Sequence, residues 1–144
     1  MQDWLERIHG TLAQHLVQVL KLNAVHNRSA LPPFRFAAIA QQFLATLKEF
    51  AGSRDGDAVR AVGRSLAEQG LGLRTVLALG RSLLDDALGA PAPESTTAQE
   101  PASRERILGL NDFMTAILEG ITEGETQTIT RQRDDIQGAL ERMI

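Results

Sequence analysis

The chain has 144 residues, of which 43% are apolar and 23% charged, enough to bury one core of ordinary domain size. Fifteen Lys and Arg against 18 Asp and Glu leave a net charge of −3, which argues against a nucleic-acid-binding domain relying on a broad basic surface. With no cysteine, disulfides, thiolate metal sites and cysteine nucleophiles are excluded. No run nears the ~20 apolar residues of a membrane-spanning helix. The opening Met1-Gln2-Asp3-Trp4-Leu5-Glu6 has neither the basic nor the apolar part of a signal peptide. The expectation is a cytoplasmic protein with no membrane or nucleic-acid partner.

Helical periodicity runs through the sequence, and strand signals are almost absent. A first helix is predicted after Asp3, with Glu6 three residues on as a variant capping box. Its apolar stripe is Trp4, Leu5, Ile8, Leu12, Leu16, Val19 and Leu20, at spacings of three and four. A polar turn near His26-Asn27-Arg28-Ser29 ends it. Pro33 suits a helix N-terminus, and a second helix then carries Phe36, Ile39, Ala40, Phe43, Leu44, Leu47 and Phe50, with Gly52 as its C-cap.

Asp57 is expected to cap a short third helix with Val59, Val62 and Leu66 inward, stopped at Gly70. A fourth helix covers about Leu71 to Leu88, with Leu73, Val76, Leu77, Leu83, Leu84 and Leu88 available to a core and Gly89 at its end. The segment 90–103 contains prolines 91, 93 and 101 and little that could be buried, so it reads as a mobile loop.

From about Ser103 onward runs the longest helical pattern. Its first half offers Ile107, Leu110, Phe113, Met114, Ile117, Leu118 and Ile121 to a core. Its second half thins to Ile129, Ile136, Ala139, Leu140, Met143 and Ile144. Ile129, Ile136 and Met143 are seven apart, the rhythm of a coiled-coil seam, and a chain stopping inside such a pattern reads as part of something longer. The expected organisation is therefore all-α: a bundle of about five helices over residues 1–124, then a projecting helix over 125–144 that leads to a missing downstream module.

Chemistry-bearing motifs are scarce. No H-E-x-x-H, phosphate loop, paired-carboxylate motif or G-x-S-x-G elbow occurs, so a non-catalytic protein without a metal or cofactor is expected. The three histidines, His9, His15 and His26, all lie early. No histidine occurs where a globin-type proximal ligand would be expected, and His15 reads as a half-buried packing residue. Adjacent Asp85 and Asp86 point about 100° apart and read as solvated charge. Arg60, Arg64, Arg74 and Arg81 could form an anion site, although Glu68 and Asp85 stand four residues beyond Arg64 and Arg81 and offer simple pairs. Ala116, Gly120 and Gly124 make a stripe of small residues on the last helix; each glycine costs about 1 kcal/mol of helix propensity. Close approach of another helix, a hinge or drift at a solvent face would each account for it. Asn111 needs a partner if it is buried.

The stretch 58–84 carries a helix ending in Arg64-Ser65-Leu66-Ala67-Glu68-Gln69-Gly70, then a helix with spaced Leu73, Arg74, Leu77, Arg81 and Leu84. It resembles the N-terminal sensory domains of RsbR-type stressosome proteins. Arg131-Gln132-Arg133-Asp134-Asp135-Ile136-Gln137 looks like the signalling helix that joins such domains to a STAS, PAS or kinase module. The resemblance implies a globin-like or related helical bundle, of a kind that usually lacks haem, that forms a homodimer and relays a signal along its last helix. It supplies no catalytic residues. The alternative is a carrier domain holding haem, a lipid or a tetrapyrrole in a pocket between helices.

Overall fold

The computed structural model describes residues 1–27, 31–89 and 99–143; of 99–103 it describes the backbone alone. Six α-helices and two short 3-10 turns make up the described residues, with no strand: α1 Gln2–Arg7, α2 His9–Leu22, α3 Phe36–Ser53, α4 Gly56–Glu68, α5 Leu73–Leu88 and α6 Gln99–Met143. The fold is all-α, a helical bundle with a long C-terminal helix. It has one helix more than expected, because the first pattern breaks at Ile8 (φ −112°, ψ 16°) into α1 and α2.

Each boundary has a local cause. Asp55, two residues before the Asp57 expected, caps α4: its carboxylate accepts from the amides of Asp57 at 3.1 Å and Ala58 at 3.3 Å. The end of α3 is Arg54, in the left-handed region at φ 56°, two residues beyond Gly52; its amide donates to Phe50 O and its guanidinium lies 5.6 Å from the Phe50 ring. Gly70 ends α4 at φ 101°, with Gly70 N donating to Ala67 O and Leu71 N to Leu66 O, a Schellman turn that buries Leu71 beneath it. Neither Asp3 nor Glu6 forms the expected capping box on α1, where Met1 is the N-cap residue and makes no side-chain cap.

Within the segment expected to be a mobile loop, residues 90–98 lie outside the described residues, while 99–103 form the first turn of α6. Pro101 fits there because the first amides of a helix have no intrahelical acceptor.

The core lies where α1 to α5 and the first half of α6 meet, α4 contributing Val59, Leu66 and Ala67. All seven residues expected to line α3 are buried. Phe113 of α6 sits edge-on to Phe43, with centroids 5.3 Å apart, and 5.9 Å from Phe50. On α5 the buried face is Thr75, Val76, Leu79, Gly80, Leu83 and Ala87. Leu73, Leu77 and Leu88, expected inward, are 37%, 49% and 66% exposed.

Partner residues give the helix directions. Arg106 Nη1 donates to Ala87 O at 3.3 Å and Met114 fills the notch at Gly80, so α5 and α6 run antiparallel. Asn27 Oδ1 accepts from Gly72 N at 3.0 Å and from Thr75 Oγ1 at 2.8 Å, which ties the turn after α2 to the start of α5. In contrast, α4 and α6 run parallel, side by side.

Candidate functional site

The α4–α6 contact shows what the small-residue stripe does. A Cβ added to Gly120 would fall on the backbone of Arg60; one on Gly124 would lie 2.9 Å from Arg64 O; one on Gly63 would lie 3.0 Å from Gly120 Cα. With Ala116 and Ala67 continuing the two rows, the helices meet backbone to backbone. Such contact fixes the register. A shift of α6 by one turn would bring Ala116 or Thr128 to a glycine position and place side-chain atoms inside α4. Hinge behaviour has no counterpart in the helix itself, which runs unbroken from Gln99 to Met143.

An ionic ladder flanks this contact. Arg60 Nη1 donates to Glu119 at 3.0 Å and also bonds Asp57; Arg64 Nη1 donates to Glu123 at 2.8 Å; Arg131 stands 3.6 Å from Glu68. Asp57 first, and then Glu119, hold the Arg60 guanidinium above its ordinary pKa. The middle arginines thus divide. Arg60 and Arg64 clamp α4 to α6, whereas Arg74 and Arg81 make no ion pair among the described residues. The i,i+4 partners expected for Arg64 and Arg81 are not the ones used. Glu119 and Glu123 were not singled out in the sequence, although their four-residue spacing matches that of Arg60 and Arg64.

Beyond Arg131, α6 leaves α4 behind, since α4 stops at Glu68. Ile129, Ile136, Leu140 and Met143 are 56%, 63%, 55% and 83% exposed, and Ala139 is exposed too. At 1.5 Å per residue the 45-residue helix is about 68 Å long, longer than the bundle it packs on.

The histidines are dispersed. His9 Nε2 meets Gln41 Oε1 at 3.1 Å, His15 Nδ1 meets Asp86 Oδ2 at 2.8 Å, and His26 lies in the turn after α2. His15 is exposed and pairs with Asp86, where packing against the stripe and a solvated aspartate were expected. Among the described residues no group of three or more His, Asp or Glu could hold a metal ion. Asn111 is exposed and needs no buried partner.

A shallow groove of about 490 Å³ lies between α2 and α3, lined by the apolar Ala13, Val17, Ala37 and Ala40 and by the polar Gln14, Gln41 and Lys21. No described helix is long and apolar enough to cross a membrane. Comparison of the chain with family models, curated proteins and solved structures found no match.

Proposed function

We propose that the chain is a non-catalytic regulatory domain, a sensor and dimerisation module whose last helix relays a signal to an output module of the STAS, PAS or kinase type. The observation that carries this reading is the exposed stripe Ile129–Ile136–Met143 on an α6 that outruns its own bundle. An isolated helix of this length is marginal in water, and a second copy of the stripe would cover it. The resemblance to RsbR-type sensory domains gives the same homodimer and the same output end. The glycine-keyed register supports a particular form of relay, in which α4 and α6 move together as one rod and the projecting end follows.

Sedimentation equilibrium tests the reading. The wild-type protein is expected to be a dimer at tens of micromolar, and Ile129→Asp with Ile136→Asp a folded monomer. A wild type that stays monomeric overturns it. The second reading, a small-molecule carrier, rests on the α2–α3 groove and has its own check: a small apolar ligand, titrated in, should lose affinity when Val17→Glu is introduced into its lining.

A further inference from the structure

A second surface follows from where α5 and α6 touch. Gly80 and Met114 mark their line of contact. At about 100° per residue, Leu84, Leu77 and Leu88 lie about 40°, 60° and 80° around α5 from Gly80. Leu118 and Leu108 lie about 40° and 120° around α6 from Met114, in the same rotational sense. Because the helices are antiparallel, both rotations lead to the same side of the pair, away from the core. That side carries Leu77, Leu88 and Leu108 at 49%, 66% and 55% exposure, with Leu84 and Leu118 half-buried. Five leucines on one side of a helix pair, with Asn111, Thr115 and Thr122 between them, mark an interface more often than a solvated face.

We propose that this α5–α6 face packs against the same face of a second copy of the chain, so that the dimer is a four-helix contact from which the two projecting ends emerge. The inference rests on the dimer proposed above and extends it from the tail into the bundle.

Three observations select a second copy as the occupant. The first is phase: counting back from Ile129 in sevens gives Thr122, Thr115 and Leu108, so the seam of the projecting end continues along the outer side of α6. The hydroxyls of Thr115 and Thr122 donate to Asn111 O and Leu118 O, each at 2.9 Å. Their donors are therefore satisfied within the helix, and the face can be buried without orphaning them. The second is length. Residues 129–143 hold about two heptads, short of the three to four that a stable coiled coil needs, whereas 108–143 holds about five. The third is charge. Arg74, Arg81 and Asp85 edge the α5 side and Arg104 and Asp112 the α6 side, and none makes an ion pair among the described residues. A two-fold axis along α6 sets α5 of each copy beside α6 of the other, and because Gly80 is level with Met114, Arg81 comes beside Asp112 of the second copy. It also sends both projecting ends out in the same direction.

Sedimentation equilibrium of the full chain separates this face from the tail. Leu77→Glu with Leu108→Glu is expected to weaken the dimer by at least about tenfold, since each copy would bury two unpaired charges. Far-UV circular dichroism checks that the helices remain; should that double variant fail to fold, Leu88→Glu, at the most exposed leucine of the face, takes its place. A face variant that dimerises as tightly as wild type, while Ile129→Asp with Ile136→Asp is monomeric, overturns the face and leaves the tail seam standing. The converse result, a monomeric face variant beside a dimeric tail variant, supports the face and removes the seam. A monomeric wild type overturns both.

Discussion

The two halves of α6 are the same helix under opposite demands. From Leu110 to Gly124 its inner side is packed: Phe113, Ile117 and Ile121 face the core, and Gly120 and Gly124 let α4 approach to backbone contact. From Ile129 to Met143 the side chains stand in solvent, and Gly138 has nothing within 4 Å of where a Cβ would be. Glycine at 120 is a steric requirement; glycine at 138 only costs helix propensity. One half is held by its own chain on its inner side, and the other is held by its own chain on none.

The sharpest way to break that contrast is Gly120→Ala. The new methyl would collide with the Arg60 backbone, which cannot yield as a flexible side chain can. A loss of about 3 kcal/mol or more is expected, a fall of ten or more degrees in melting temperature for a domain of this size. An unchanged melting temperature would mean the two helices are not so close. Next comes Ile129→Asp with Ile136→Asp, which should abolish the proposed dimer while leaving the helical content of the bundle intact, since both side chains are more than half exposed. Its check is the molar mass in solution.

A smaller effect belongs to the ladder. Glu123→Gln removes one charge from the Arg64 pair, whose side chains are 39% and 49% exposed. Solvent screening limits the loss to at most about 1 kcal/mol, measurable by urea denaturation and reduced by added salt. The smallest is a gain: Gly138→Ala should raise stability of the projecting helix by about 0.5–1 kcal/mol, visible as slower amide exchange there. The same substitution two and a half heptads earlier destabilises the fold, and that difference in sign is the comparison in its plainest form.

How much of this was legible depends on whether a residue's role is local. The seven buried residues of α3 follow from spacing alone, as does the stop at Gly70, because period and turn chemistry are written within a few positions. On α5 the periodicity carries two answers. Leucines occupy both Leu79–Leu83 and Leu73–Leu77–Leu84–Leu88, and only the position of α6 decides which stripe is buried. The α4–α6 clamp is illegible for the same reason: Arg64 and Glu123 are 59 residues apart, and Glu68, four positions beyond Arg64, offers it a nearer carboxylate that pairs with Arg131 instead. The small-residue stripe was visible as an anomaly of propensity, yet its cause lay on another helix. Asp55 and Arg54 were missed by two residues each, as happens when several polar residues compete for one boundary.

Trp4 adds an optical consequence. It is the chain's one tryptophan, it is buried at 3% exposure, and the Arg106 guanidinium near the start of α6 lies 5.0 Å from its ring centroid. Burial also holds that guanidinium below its ordinary pKa, with Arg7 adding a like charge. The emission of this indole therefore reports how the near end of α6 sits on α1, quenched or shifted as the cation moves over it. Met143 lies 37 residues further on, about 55 Å away along the helix, too far to touch the fluorophore. A ligand or partner that acts only on the tail leaves the spectrum still, whereas one that moves the whole rod changes its colour, so a single native chromophore distinguishes docking at the far end of α6 from displacement of the helix as a whole.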